Sequence, residues 1–162
     1  MICPENYPII LGHEPVASNA IADTADAICL KGAKGVLILI SEDSSGGDTD
    51  LVLTVHEGDT AAVAAAGTYP ITTGKEFPIW TNLDCAATDL WTRQADGLGY
   101  TIDATPAKLN QVAFYIPASK LTNDRDWIAL GASGGNAGNK VAVTYILDGA
   151  RYQQKAQVTA IA

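Results

Sequence analysis

Few residues in this chain combine type and spacing in the way that chemistry requires. The segment Gly131-Ala132-Ser133-Gly134-Gly135 satisfies G-x-S-x-G, the pattern that exposes a nucleophilic serine on a strained turn between a strand and a helix. A serine used in that way is followed along the chain by its acid and its histidine. Both histidines, His13 and His56, precede Ser133, and residues 141–147 after it alternate as a strand does. The segment therefore reads as a flexible hairpin loop. Residues 41–50 offer Glu42, Asp43, Asp48 and Asp50 as oxygen donors for calcium, but without the fixed positions and twelfth-residue glutamate of an EF-hand. A solvated acidic loop is the simpler reading. His56, Glu57 and Asp59 carry donor atoms of the kind zinc takes, yet no further His or Cys stands close by in sequence.

Two carboxylate pairs, Asp84 with Asp89 and Asp96 with Asp103, have the residue type that cleaves glycosidic bonds. Their separation decides that chemistry, and aspartate is common in turns because it bonds its own backbone. Trp80, Trp91 and Trp127 offer aromatic faces for a sugar or for packing, with packing favoured. Gly32 and Gly35 lack the Lys and Ser/Thr that complete a phosphate loop. No nucleophile–base pair and no ligand set can be assembled, so the expectation is a protein that is not an enzyme and uses no cofactor or metal.

Bulk properties narrow the partners. At 162 residues the chain is long enough for one domain with its own core. Its net charge is −8, and its ten Lys and Arg residues are scattered, which argues against nucleic acid and against an anionic membrane surface. The longest apolar run, 36–40, is too short to span a bilayer, and residues 1–6 lack the basic start and apolar core of a leader, so use from the cytoplasm is expected. Cys3, Cys29 and Cys85 form no CxxC pair, and Cys29 reads as a small buried hydrophobe. With only 17% of residues charged, part of the surface is free to be shared with a partner.

The elements that would position these residues are mostly strands. Residues 1–20, with Pro4, Pro8 and Pro15, read as an extended arm. Strands are expected at 25–30, at 36–40 in mid-sheet, and at 51–56 with Leu51, Leu53 and Val55 on one face and His56 exposed on the other. Residues 60–66 are rich in alanine but short, so helix and loop stay open. Short strands follow at 68–71 and 77–81, then one or two helical turns at 88–95 from the spacing of Leu90, Trp91 and Gln94. Residues 98–102, 111–116, 126–130 and 141–147 return to strand, with Trp127 in the core. Closely spaced short strands predict an all-β, single-domain β-sandwich or jelly roll. Its expected parts are an arm over 1–20, a sandwich over 21–154 and a tail over 155–162.

Over residues 20–154 the chain resembles the cement, or decoration, proteins of tailed bacteriophages. These are small jelly-roll proteins that bind the outside of the head. The likeness lies in the arm before strand 27–30, the Lys31-Gly32-Ala33-Lys34-Gly35 link into 36–40, and the runs 50–57 (DLVLTVHE) and 92–103 (TRQADGLGYTID). Strand 112–116 and the closing stretch 141–154, containing LDGARY at 147–152, complete it; residues 70–89 look like an expanded loop.

The resemblance implies a structural virion protein on the outer capsid surface, assembled in the host bacterial cytoplasm, that bridges subunits of the major capsid protein. It also implies self-association as a dimer or trimer. Contact is expected through the arm, the 72–89 region and the tail. The apolar side chains to which this points are Ile2, Tyr7, Ile9, Ile10, Leu11, Phe77, Trp80, Leu83, Trp91 and Tyr152. A head-completion or tail protein, and a carbohydrate-binding β-sandwich module, are the alternative readings.

Overall fold

The computed structural model describes residues 7–23 and 26–149. Its strands, in chain order, are β1 (Ile9–Ala17), β2 (Ala27–Cys29), β3 (Gly35–Asp43), β4 (Leu51–Gly58), β5 (Tyr69–Pro70), β6 (Ile79–Asn82), β7 (Thr92–Arg93), β8 (Gly99–Ile102), β9 (Leu109–Pro117), β10 (Trp127–Gly134) and β11 (Lys140–Asp148). One short helix, α1 (Ala61–Ala65), follows β4, and 3-10 segments lie at Ser18–Asp23 and Ala118–Lys120.

Pairing is nested. β1 pairs with β11, β2 with β10, β3 with β9 and β4 with β8, all antiparallel, as though one long hairpin had been rolled up. Rolling sets β11 beside β3 and β10 beside β4. The result is two facing sheets, β1-β11-β3-β9 and β2-β10-β4-β8, which is the strand order of a jelly roll. The stretch between β4 and β8 adds β5 to β4, and adds β6 and β7 outside β9, so the first sheet has six strands.

The core lies between the sheets and follows from period-two alternation. Val36, Ile38 and Ile40 of β3 point inward, with Leu51, Leu53 and Val55 of β4 and Val141, Val143, Tyr145 and Leu147 of β11. Phe77 and Phe114 meet in a tilted pair with ring centroids 5.2 Å apart.

Several expectations are corrected. Within the expected arm, residues 9–17 form an edge strand paired with β11. Its register shifts between Leu11 and His13 and again between His13 and Val16, which accommodates Pro15 at an edge where its missing N–H costs no ladder bond. Residues 88–95 are not helical: they run extended into β7, because Arg93 pairs with Trp80 and Thr92 with Thr81. The expanded loop 70–89 contains β6, a strand of the larger sheet. Strand β10 continues to Gly134, so the Gly-rich loop is shorter than expected. The alanine run 60–66 is a helix: Thr60 Oγ1 accepts from the Val63 N–H, and Ala64 packs on Ala27 and Ala129 of the smaller sheet. Trp127 is half-buried beside that alanine cluster, and Cys29 and His56 are half-buried too. The tail at 155–162 lies outside the described residues.

Candidate interaction surface

The residues with chemical potential are dispersed or occupied. Ser133 is exposed opposite Val52, whereas His56 stands opposite Ala129, four residues along the ladder and so about 13 Å away. His13 is buried, with Nδ1 2.7 Å from the Glu14 carbonyl. In the acidic loop, the Ser45 side chain, joined by the Ser45 N–H that donates to Asp43 at 2.9 Å, holds the Asp43 carboxyl below its usual range, and Asp50 accepts from Ala104 N (3.1 Å). Asp84 pairs with Lys108 (2.9 Å), Asp96 with Arg93, and Asp103 accepts from Thr105 N (2.8 Å). Among the described residues no group of three or more His, Cys, Asp or Glu side chains is placed to hold a metal ion.

Two buried carboxylates stand out. Glu57, 2% exposed, collects the Thr122 hydroxyl and amide, Lys75 Nζ at 3.1 Å and Arg125 Nη1 at 2.9 Å. Burial opposes its ionisation, but these donors outweigh it and hold its carboxyl below the usual range. Arg125 in turn lies over the Tyr69 ring, 3.6 Å from the centroid. The cluster ties β4 to the segments before β6 and β10. Glu42 is its opposite: 3% exposed, with neither carboxylate oxygen hydrogen-bonded. Burial pushes its pKa up to about 7; the Asn110 amide alongside offsets this in part, and Asp43 and Asp50 add to it.

The feature without a structural explanation is apolar surface. On the outer face of the six-stranded sheet, register places Ile9, Ile146, Leu37 and Tyr115 in one row. The next row holds Leu11, Thr144, Leu39, Ala113 and Trp80. Directly paired residues share a face, so these two rows form one apolar stripe across five strands. At its β1 end Ile9 and Leu11 are 56% and 59% exposed. At its far end the Arg93 guanidinium sits 5.0 Å from the Trp80 ring centroid. An antiparallel sheet with one wet face normally alternates apolar and polar residues, and along these two rows this one departs from that pattern, with Thr144 the one polar side chain in them. Beyond the stripe the same face deepens into a groove of about 300 Å³ between Pro15 and Cys85, floored by Ser41, Gln111 and Ala142.

A second apolar display is the loop between β6 and β7. It is internally bonded: Asn82 Nδ2 donates to Thr88 O (2.6 Å), and Ala87 and Thr88 N both donate to Asp84 O. Cys85 N anchors it to Leu109 O at 2.8 Å. This framework nevertheless turns Leu83, Leu90 and Trp91 outward, with Leu90 78% exposed.

Of the contact residues expected from sequence, Ile9 and Leu11 lie at one end of the stripe and Trp80 at the other, and Leu83 and Trp91 lie on the loop. Phe77 is wholly buried and Ile10 packs on the core, so both are structural, and Tyr7 is half-buried two residues before β1. Ile2 and Tyr152 lie outside the described residues. Leu37, Leu39, Ile146 and Leu90 were missed as surface contributors. The signal for the first two was present in residues 36–40, since a strand apolar at every position has both faces to cover.

The fold and surface define a class: an all-β jelly-roll sandwich with apolar displays on its surface. No family model, no curated protein and no solved structure matches the chain.

Proposed function

We propose that this protein is a structural subunit of a phage particle that binds the outside of the head and stabilises the shell by bridging copies of the major capsid protein. The observation that carries the reading is the 83–91 loop, which is braced by its own hydrogen bonds yet displays Leu83, Leu90 and Trp91 to solvent. Large apolar side chains held outward at a loss of hydrophobic free energy fit a docking surface better than a solvated one. The jelly-roll order and the sequence runs at 50–57, 92–103 and 147–152 support the same reading. Each copy would need to bury about 800 Å² with its neighbours, which calls for more than this loop and draws in the exposed β1 edge at Ile9 and Leu11.

The test is stoichiometry. Intact particles are purified, and the copy number of this chain is measured against the major shell protein. A ratio near one, or a simple fraction of it, is expected. A dozen copies or fewer moves the protein to a head-completion or tail position. Absence from the particle, with saturable sugar binding that quenches tryptophan fluorescence, overturns the reading in favour of a carbohydrate-binding module.

A further inference from the structure

The outer face of the six-stranded sheet changes in bulk along its strands. Its first apolar row, with Ile146, Leu37 and Tyr115 on β11, β3 and β9, is large throughout. Four residues along the same three strands stand Ala142, Ser41 and Gln111, and there the groove opens. A ridge of large side chains and a trough floored mainly by small ones thus lie about 13 Å apart, with the row of Leu39 midway between them.

That spacing makes the face complementary to itself. A half turn about an axis lying in the face along the Leu39 row exchanges ridge and trough. Two copies related by it lay each ridge into the other's trough and meet on their own Leu39 side chains, which is the condition a two-fold contact sets. Their strands stay aligned, the arrangement in which stacked sheets pack about 10 Å apart. The extent is sufficient as well. The face runs about 27 Å from Asp148 to Lys140 and about 19 Å from β1 to β6. With the breadth of the side chains at its margins it presents on the order of 700 Å², near the roughly 800 Å² per partner that a specific contact takes.

Charge does not oppose the approach. The chain carries a net −8, yet on this face Lys140 stands opposite Asp43, and Asp148 accepts from the Tyr115 hydroxyl at 2.7 Å. The half turn brings each Asp148 to the end of the face where the other copy has Lys140. We infer that two copies of this chain associate through the outer faces of their six-stranded sheets, with Leu37, Ile146 and Tyr115 of each seated over Ser41, Ala142 and Gln111 of the other. The contact draws on none of Leu83, Leu90 and Trp91, and it does not rest on the function proposed above.

The test begins with sedimentation velocity on the full, unaltered chain over a range of concentrations. A monomer–dimer equilibrium is expected, and a monomer at every concentration up to about 0.1 mM overturns the inference. A sample mixed from two differently labelled batches then locates the contact by isotope-filtered NOESY. Methyl contacts between copies are expected from Leu37 or Ile146 to Ala142. A dimer whose contacts between copies lie elsewhere, on the 83–91 loop for instance, overturns the inference as well. Leu39→Lys sets two ammonium groups against each other at the axis and should weaken the dimer about 100-fold or more. A folded Leu39→Lys protein that dimerises as well as the wild type counts against the contact. Should that variant fail to fold, the first two measurements decide the matter, since neither needs a substitution.

Discussion

The phenol of Tyr145 and the backbone amide of Leu130 join the two sheets across the core. Tyr145 belongs to β11 of the larger sheet, is fully buried, and accepts from Leu130 N of β10 at 3.2 Å. Its hydroxyl also donates to the Asp26 carbonyl, just ahead of β2, at 2.9 Å. One side chain thus ties three segments of the roll, and burial holds the phenol protonated far above its ordinary range.

Tyr145→Phe keeps the ring and removes both bonds, leaving a buried donor and acceptor with one partner fewer. The expected cost is about 1–3 kcal/mol. It reads out as a lower denaturant midpoint with an unchanged slope, because the surface exposed on unfolding stays the same. A changed slope would mean that the sheets had loosened and not merely lost a bond.

The buried Glu57 is expected to stabilise the fold at neutral pH. Its carboxyl is lowered in the folded state, so the folded protein binds fewer protons than the unfolded chain around the ordinary glutamate pKa. The contribution is therefore complete above about pH 4.5 and lost as pH falls through the folded value. Glu57→Ala leaves Lys75 and Arg125 unpaired, but their side chains are 24% and 27% exposed and regain some water. A loss near 3 kcal/mol, the lower end for a broken buried pair, is expected in chemical denaturation at pH 7. It should shrink when the comparison is repeated at pH 3.

Glu42 has the opposite sign. Its pKa of about 7 in the folded protein exceeds the ordinary 4.5, so between those values the folded state holds a proton that the unfolded chain has released. Stability should fall as pH rises through that window and level off above it, by roughly 3 kcal/mol if the whole shift is expressed. Glu42→Gln keeps the shape without the charge. It should match the wild type near pH 4.5 and exceed it at pH 8. Denaturant midpoints of both proteins at the two pH values check this, and parallel behaviour of the pair across the range would show that Glu42 is not the titrating group.

Much of the sandwich is visible in the chain because its long strands alternate cleanly. Residues 36–40, 51–56, 112–116 and 141–147 need only a period of two to be read. β1 was obscured because Pro8 and Pro15 imitate an unpaired arm, and its bulges hide the alternation that pairs it with β11. Helix α1 is too short to nucleate alone and depends on Thr60 and on the alanine bed beneath it, which is tertiary information. At 88–95 the spacing of Leu90, Trp91 and Gln94 imitates a helix, but Leu90 and Trp91 are spaced for display and Gln94 bonds the Thr81 hydroxyl. The stripe was legible only in part: β3 announces two apolar faces, but that Leu11 and Trp80 lie in one row needs the register of five strands.

The last relationship to test is the close approach of His56 to Gly131. The imidazole lies on the outer face of the smaller sheet with its Nε2 3.3 Å from Thr54 Oγ1, and burial lowers its pKa and favours the neutral ring. Gly131 pairs with Thr54, and a β-carbon there would overlap the His56 ring and sit 2.7 Å from the Thr54 hydroxyl. Backbone freedom is not the requirement here; space is. Gly131→Ala should therefore cost about 1–3 kcal/mol, the usual penalty for overpacking. If the clash with the ring is the cause, His56→Ala in the same chain should return more than half of that cost, and the two substitutions will be strongly non-additive. Thermal unfolding of the four proteins in the cycle decides it. Simple additivity would place the penalty in the Thr54 contact, in which case the Gly131→Ala/Thr54→Ala pair shows the rescue, or in the strand backbone, in which case neither pair does.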